Sequence, residues 1–274
     1  MKMSLSNPVK RSPLIAYFIL VFGIEWLLVI GLASLIPPMI ALLIGSWLPN
    51  VIGILVTTIA GGRPALSELF NKVILWRIPF KWYLAAILLP PVIAFLTIGI
   101  YWLLGYSMPV FATLSQLPLV ILMCIFTGAM GEELGWRGTA LPRLQARWNA
   151  LISSLILGVL WGLYHLPSFL LSGLPLKDAP LIPFMLGALG LTVLVSWTFN
   201  HTSGSLIAVF LYHFAFNFIL NVTGIPSDSA LFWVLGWVCI VVAMIVVILD
   251  WKHFTRKMTL ATKDVWIIKD DAQL

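Results

Sequence analysis

Two adjacent carboxylates and an arginine follow an apolar run in the middle of the chain. The run covers residues 117–130, and it is followed by Glu132, Glu133 and Arg137. If the run continues as a helix, these charges lie at or inside a membrane boundary, where ionisable groups are costly and usually functional. Glu133 and Arg137 are four residues apart, so they can pair on one helix face. Glu132 is rotated from that face by about 100° at ~3.6 residues per turn, which leaves it available for chemistry.

Histidine and asparagine side chains occur inside two further apolar runs. His165 lies in the run 151–171, whereas His213 and Asn217 lie four residues apart in the run 205–222 and share a helix face. A single histidine within a membrane span is often a hydrogen-bonded packing residue. Three separate spans that each carry such a group instead predict a shared functional site, because polar groups in lipid are costly.

These side chains are sufficient for two kinds of hydrolytic chemistry. In the first, a carboxylate acts as general base on water, a histidine shares the proton, and a histidine and an amide donate hydrogen bonds to the developing oxyanion. In the second, Glu132, His165 and His213 ligate zinc, which accepts imidazole nitrogen and carboxylate oxygen and keeps one position for water. The sequence lacks the helical H-E-x-x-H pair typical of zinc peptidases. Both interpretations stay open, and zinc is the one cofactor that the residues suggest.

The composition indicates which class of protein positions these residues. Of the 274 residues, 61% are hydrophobic and only 9% are charged, and the mean hydropathy is +1.05. Soluble domains carry roughly 25% charged residues, so the chain is predicted to be an all-α, polytopic membrane protein. Cys124 and Cys239 both lie in apolar runs and do not form a disulfide framework.

Apolar runs of about 18–25 residues are candidates for transmembrane helices. The chain contains eight: Leu14–Ile36, Pro38–Ala60, Trp82–Leu104, Leu117–Arg137, Leu151–Leu171, Leu181–Phe199, Ser205–Val222 and Ala230–Leu249. The segment Arg63–Lys81 has mixed polarity, and its apolar residues at helical spacing predict an amphipathic helix on the membrane interface. We expect one membrane-embedded domain, 1–274, with a catalytic core at 115–222 and a cytoplasmic tail at 250–274.

The basic residues predict the orientation of the chain in the membrane. Lys and Arg concentrate in cytoplasmic loops. With both termini in the cytoplasm, all of the 16 basic residues except Lys177 lie on the inner side. Basic residues on the inner side of the lipid bilayer account for the net charge of +6, so no nucleic-acid partner is expected.

Two ionisable residues outside the candidate site have simpler interpretations. Glu25 lies near the middle of the first span, and it is interpreted as a structural carboxyl group, since burial favours its neutral form. His253 lies in the charged tail after the last span, and it is expected to be solvated.

Three motifs resemble those of a known family, the CPBP intramembrane proteases, also called the CAAX protease or Abi family. Its E-E-x-x-x-R motif is matched by Glu132, Glu133 and Arg137, and its H-x-x-x-N motif by His213 and Asn217. Its F-x-x-x-H motif is matched at His165, with Trp161 in place of phenylalanine. The convincing similarity covers residues 130–217 and is greatest to prokaryotic members.

The resemblance implies an eight-helix fold with a peptidase site inside the membrane. It assigns Glu132 and His165 to water activation and His213 and Asn217 to oxyanion stabilisation, and it makes Glu133 and Arg137 structural or supporting residues. The implied partner is a peptide or protein substrate associated with the membrane. The family also contains immunity and scaffold proteins, so a non-catalytic role is the alternative. A transporter is a third hypothesis, and the absence of inverted repeats in the sequence argues against it.

Overall fold

The protein is a bundle of membrane-spanning helices. The computed structural model describes residues 8–32 and 35–256, and this part of the chain is helical without strands. Eight of its helices are long and apolar enough to cross a membrane. They are α1 Pro13–Leu32, α2 Pro38–Val73, α3 Phe80–Leu103, α4 Leu117–Gln145, α5 Ala150–Leu170, α6 Leu181–His201, α7 Leu206–Thr223 and α8 Ser229–Leu249. The prediction of an all-α, multi-pass integral membrane protein is confirmed.

Helix α2 is longer than the sequence predicts. The apolar pattern places its end at Ala60, but the helix resumes after a break at Gly62 and continues to Val73. Gly62 has φ 64° and ψ −157°, a conformation that glycine adopts readily because it lacks a Cβ atom. The predicted interfacial helix at Arg63–Lys81 is therefore helical in its first half. The prediction is wrong for the second half, because residues 74–79 are not helical and Phe80 begins α3.

Helix α4 carries the adjacent carboxylates into the interior of the bundle. It runs to Gln145 instead of ending at Arg137, and it packs against α2 and α7. Two glycines allow the close approach to α2. A Cβ atom on Gly131 would lie 2.5 Å from the carbonyl oxygen of Ser46, and one on Gly135 would also collide with the α2 backbone. Any larger residue at these positions would push α4 away from α2.

A hydrogen-bonded amide fixes the same segment of α4. Asn50 of α2 donates to the carbonyl oxygen of Met130 over 2.6 Å, and its side-chain oxygen accepts from the backbone N–H of Gly135 over 2.9 Å. Both backbone groups lie next to turns where the α-helical hydrogen bonding of α4 is interrupted. Because buried backbone groups require partners, the amide stabilises the segment that holds Glu132 and Glu133.

The second half of the chain surrounds α6. This helix packs against α5 on one side and α8 on the other, while α7 packs against α3. The apolar window of α6 is 61% buried, more than that of any other span among the described residues. Large apolar side chains on the outer helices are exposed instead, for example Leu27, Phe95 and Ile248, as expected where a helix faces lipid.

The start of the predicted tail is folded. Residues 257–274 lie outside the described part of the chain, but Trp251–Thr255 form a short helix after α8. His253, which the sequence predicts to be solvated, is only 6% exposed. Its ring stacks on that of His201 at the end of α6, with 4.0 Å between the ring centroids. The prediction is wrong because tertiary packing, which the sequence does not reveal, covers the side chain.

Candidate active site

Two wide turns in α4 frame its carboxylates. The helix has π-helical turns at Ile125–Ala129 and Trp136–Ala140, and the regular segment Met130–Gly135 lies between them. Such turns add a residue to the helical repeat and are frequent at functional sites. Glu132 and Glu133 are both buried in this segment, so each requires polar partners from its surroundings.

The side chain of Glu132 is held by two indole groups. Its Oε2 atom accepts a hydrogen bond from Trp161 Nε1 of α5 over 2.6 Å and another from Trp136 Nε1 over 3.2 Å. Trp136 is one helical turn further along α4 and fully buried. Both donors are neutral, and they fix the carboxyl group of Glu132 without forming an ion pair with it.

The side chain of Glu133 contacts two nitrogen-containing groups. Its Oε1 atom accepts from Arg137 Nη1 over 2.8 Å and lies 2.6 Å from His213 Nδ1 of α7. Arg137 also donates to Thr192 Oγ1 of α6 over 3.3 Å. The structure therefore contains the Glu133–Arg137 pair that the spacing predicts. It adds a contact to His213 that helical spacing cannot reveal, because the two residues lie on different helices.

His165 lies at an interruption of α5. The regular helix ends at Tyr164 and resumes at Leu166, with Pro167 immediately after. His165 Nδ1 is 2.8 Å from the carbonyl oxygen of Trp161. Since a carbonyl oxygen only accepts hydrogen bonds, Nδ1 carries the proton. In the neutral ring Nε2 is then an acceptor.

His213 and Asn217 lie one turn apart on α7 and meet the backbone of α4 at Gly128. A Cβ atom on Gly128 would lie 2.6 Å from Asn217 Nδ2 and 3.5 Å from His213 Nε2. Both nitrogens therefore lie close to the same point on α4. Because the Nδ1 side of His213 faces Glu133, its Nε2 atom is the one left for another partner.

The four residues that the sequence assigns to catalysis line one cavity. Its volume is about 440 Å³, and Glu132, His165, His213 and Asn217 all face it, together with Trp161. Glu133 and Arg137 are not among the lining residues; they lie behind His213. The rest of the lining is largely apolar and comes from α2, α4, α6, α7 and α8, including Met39, Leu42, Leu119, Met123, Phe184, Leu191, Phe216, Leu220, Phe232 and Leu235.

The arrangement does not fit the metal centre considered from the sequence. Among residues 8–32 and 35–256, one group of at least three His, Cys, Asp or Glu side chains has ligand atoms within 4.8 Å of one another, and it consists of other residues. Glu132, His165 and His213 are not such a group. The Nδ1 atoms of both histidines are engaged, with Trp161 and Glu133, so only their Nε2 atoms could serve as ligand atoms.

The group that does come together is His201, Asp250 and His253, at one end of α6 and α8. Asp250 Oδ2 lies 2.5 Å from His201 Nε2 and accepts from Trp197 Nε1 over 2.8 Å. The two imidazole rings are nearly parallel, at 17°, and stacked. Rings stacked in this way cannot both direct an in-plane lone pair at one ion, so this cluster has the geometry of a structural contact between helix ends.

Sequence reasoning left two features of the site undetected. Trp161 takes the place of phenylalanine in the motif that ends at His165, and its N–H group binds Glu132. The signal for it was the departure from phenylalanine in the motif ending at His165. Trp136 is the second donor, and only the three-dimensional contact identifies it. Glu25 is buried but is absent from the cavity lining; its carboxyl group packs against Gly45 of α2.

Fold and site together define a class: a multi-pass helical membrane protein with polar groups gathered in a buried cavity. Comparison with known proteins shows which family this part of the chain is similar to. Residues 113–219 match the model described as "Type II CAAX prenyl endopeptidase Rce1-like", a range that contains all six predicted site residues. This match agrees with the resemblance to the CAAX protease (CPBP) family that the three motifs carry.

A curated relative supports the same assignment. The chain is 26% identical over 144 residues to CAAX prenyl protease 2 of Methanococcus maripaludis, which covers 50% of this chain and 52% of that protein. The match thus spans about half the length of the relative.

Proposed function

We propose that the chain is an intramembrane endopeptidase that hydrolyses a peptide bond in a membrane-associated peptide or protein. The observation that carries the proposal is the meeting of Glu132, His165, His213 and Asn217, from three helices, at one largely apolar cavity. The similarity of residues 113–219 to the CAAX prenyl endopeptidase model supports it. The curated relative is named as a prenyl protease, which makes a lipidated peptide one substrate to test.

Glu132 and His165 activate the water. The carboxylate of Glu132 takes a proton from a water molecule in the cavity, and the resulting hydroxide attacks the carbonyl carbon of the scissile bond. His165 assists through Nε2, which is the acceptor nitrogen when Nδ1 donates to the Trp161 carbonyl. A histidine held in this tautomer can accept a hydrogen bond from the same water and orient it.

His213 and Asn217 stabilise the oxyanion that forms on the carbonyl oxygen. The amide nitrogen of Asn217 donates hydrogen bonds without any change of protonation. Like His213 Nε2, it lies next to Gly128 of α4. Donation from Nε2 requires a proton on that nitrogen in addition to the one on Nδ1. The oxyanion role therefore requires the imidazolium form of His213, facing the carboxylate of Glu133. Each such donor is worth about 10²–10³ in kcat where it has been removed from other hydrolases.

Collapse of the tetrahedral intermediate completes the reaction. The C–N bond breaks, and the leaving amine takes the proton that Glu132 received from water. Glu132 returns to its ionised form, and the new carboxylic acid gives its proton to the amine, so the products are a carboxylate and an ammonium group. No oxidant, reductant or covalent enzyme intermediate is needed.

The apolar lining supports a substrate segment that enters from the membrane. Leucine, methionine and phenylalanine side chains surround the polar groups, so an apolar peptide segment or a lipid-modified side chain can be accommodated beside them. The apolar part of such a substrate can pack against this lining, whereas a polar, soluble peptide reaches a site within the membrane less readily.

Purified protein in detergent, incubated with a peptide library, tests the proposal. The library contains unmodified and prenylated peptides in matched pairs, and mass spectrometry identifies the products. Wild type should yield defined cleavage sites that are absent with Glu132→Gln. That variant keeps the size of the side chain and removes the base, and the expected loss is about 10²–10⁴-fold. Wild type and Glu132→Gln giving identical product patterns would refute the function; no cleavage by either would favour the immunity or scaffold alternative.

A further inference from the structure

Trp161 contacts both halves of the site, each through a different part of the residue. Its indole N–H donates to Glu132 Oε2 over 2.6 Å, and its main-chain carbonyl accepts from His165 Nδ1 over 2.8 Å. Its ring meets that of His213 edge-on, with centroids 5.6 Å apart. The guanidinium carbon of Arg137 lies 5.3 Å from the ring centroid. Trp161 thus contacts both residues proposed to activate water, and its ring also lies next to His213 and Arg137.

We propose that Trp161 is a positioning residue, which orients Glu132 and His165 toward one water and selects the carboxylate oxygen that acts as base. This inference rests on the proposed peptidase function. Glu132 Oε2 receives two indole hydrogen bonds, from Trp161 and Trp136, and these occupy its two lone pairs. Oε1 is therefore the oxygen left for water.

The indole N–H group of Trp161 is the shorter of the two donors to Glu132. Trp161 is 6% exposed and Glu132 is 3% exposed, so loss of the donor leaves a buried carboxylate oxygen with only the longer bond from Trp136. The motif resembled here has phenylalanine at this place, which supplies an aromatic wall and no donor. The aromatic ring and the hydrogen-bond donor can therefore be tested separately. The change Trp161→Phe keeps an aromatic ring but removes the N–H donor and part of the ring system.

Kinetics of Trp161→Phe test the positioning role. We expect kcat to fall by about 10- to 100-fold, the effect of losing one hydrogen bond to a charged group, with little change in KM. The acid limb of the pH–kcat profile should move to higher pH, because a hydrogen bond to a carboxylate favours its charged form. A residue that only fills space would not move that limb.

Two further variants make the test specific. Trp197→Phe is the matched control: it removes an indole donor from Asp250, at 2.8 Å and outside the cavity, and should leave kcat and the pH profile unchanged. Trp136→Phe removes the longer bond to Glu132, at 3.2 Å, and should move both quantities in the same direction as Trp161→Phe by a smaller amount.

An indole ¹⁵N–¹H spectrum of the protein in detergent reports the contact independently of activity. The resonance that is missing in Trp161→Phe identifies Trp161, and it should shift in Glu132→Gln while staying in place in Trp197→Phe. A Trp161 resonance that does not respond to Glu132→Gln would overturn the proposal.

The kinetic outcomes separate this inference from the function on which it rests. If wild type cleaves peptides and Trp161→Phe keeps its kcat and pH profile, the positioning role is wrong and the peptidase function stands. If wild type cleaves no peptide while the resonance responds to Glu132→Gln, the peptidase function is wrong, and the role of Trp161 in it falls as well.

Discussion

His213 Nδ1 and Glu133 Oε1 lie 2.6 Å apart, although 80 positions separate the two residues in the sequence. The same carboxylate oxygen accepts from Arg137 Nη1 over 2.8 Å. Glu133 therefore connects an ion pair within α4 to a cavity-lining histidine on α7. In the proposed mechanism this carboxylate orients His213, in addition to neutralising Arg137 in the interior of the bundle.

Glu133→Gln is expected to reduce both stability and activity. Removing one partner of a buried ion pair costs about 3–5 kcal/mol, because the other charge remains buried without compensation. Arg137→Ala should lower the melting temperature by a similar amount for the same reason. Since His213 also loses its carboxylate in Glu133→Gln, kcat should fall in the fraction that stays folded. Thermal melts in detergent and cleavage rates on the same samples measure the two effects.

The double variant Glu133→Gln with Arg137→Met separates these effects. It removes both charges, so it should melt at a higher temperature than either single variant, yet it should stay impaired in cleavage. Glu68→Gln is the control, because the side chain of Glu68, which pairs with Lys72 at 3.6 Å, is 66% exposed. Solvent screens an exposed carboxylate, so its loss should lower the melting temperature less than the loss of the fully buried Glu133. Wild-type melting and turnover in Glu133→Gln would contradict the role assigned to this residue.

The fold could largely be predicted from the sequence, because a membrane span imposes a simple pattern. A helix in lipid must satisfy its backbone internally, so apolar length alone identifies the eight spans. The prediction fails where a helix lacks a continuous apolar sequence. Helix α2 continues past Gly62 with mixed composition. His253, in the short helix at Trp251–Thr255, is buried against His201 of α6 by a contact that no local signal indicates.

The sequence predicts which residues lie together at the candidate site, but it does not predict their hydrogen-bond partners. The cost of polar groups in lipid identifies Glu132, His165 and His213 as residues that meet, and they line one cavity. Their partners depend on distances between helices. The two indole donors to Glu132 are therefore visible only in the structure, and the same holds for the contact between Glu133 and His213.

Gly128→Ala is expected to abolish cleavage with a small effect on folding. The added methyl group would lie 2.6 Å from Asn217 Nδ2, which forces the amide away from the position where it stabilises the oxyanion. Loss of one such donor costs about 10²–10³-fold in kcat, and binding of the substrate should be less affected. Steady-state kinetics with the best library peptide provide kcat and KM.

Gly99→Ala is the matched control for this substitution. Gly99 lies in α3, and an added Cβ atom there meets no other atom within 4 Å. This variant should cleave like wild type, so a general effect of alanine in a transmembrane helix would appear in both proteins. Full activity in Gly128→Ala would show that Asn217 does not contact the reacting carbonyl oxygen.

Chelators are expected to leave the cleavage rate unchanged. The ligand atoms of Glu132, His165 and His213 do not form a group with mutual distances below 4.8 Å, as a shared metal ion would require. Elemental analysis of active protein, combined with rates before and after treatment with a chelator, provides the measurement. Stoichiometric zinc, together with inhibition by chelator that added zinc reverses, would overturn this expectation.

Both termini are expected to lie in the cytoplasm. Eight spans place the two ends of the chain on the same side of the membrane, and the distribution of all basic residues except Lys177 favours the inner side. A reporter that is active only in the cytoplasm, fused to the C-terminus, should give a signal, whereas a fusion in the loop that contains Lys177 should not. The reverse pattern would invert the topology.

The burial of His253 is expected to make the protein less stable as the pH falls from about 6.5 to about 4. Burial, and next the positive charge on His201, lower the pKa of His253 from 6.5 to about 4. Between these values the unfolded chain binds a proton that the folded chain does not, so the free energy of unfolding decreases as the pH falls. Burial alone would raise the pKa of Asp250, but hydrogen bonds from His201 and Trp197 bring it below its ordinary value of 3.8. Its contribution is therefore lost only below this window.

Melting temperatures of wild type and His253→Phe, measured in a non-ionic detergent between pH 7.5 and 4, test this expectation. Phenylalanine keeps a flat ring against His201 and cannot be protonated, so the variant should lose less stability over that range than wild type does. Trp251→Phe changes an exposed residue of the same short helix without altering any ionisable group, and it should follow the wild-type curve. Parallel curves for wild type and His253→Phe would show that protonation of His253 is not linked to folding.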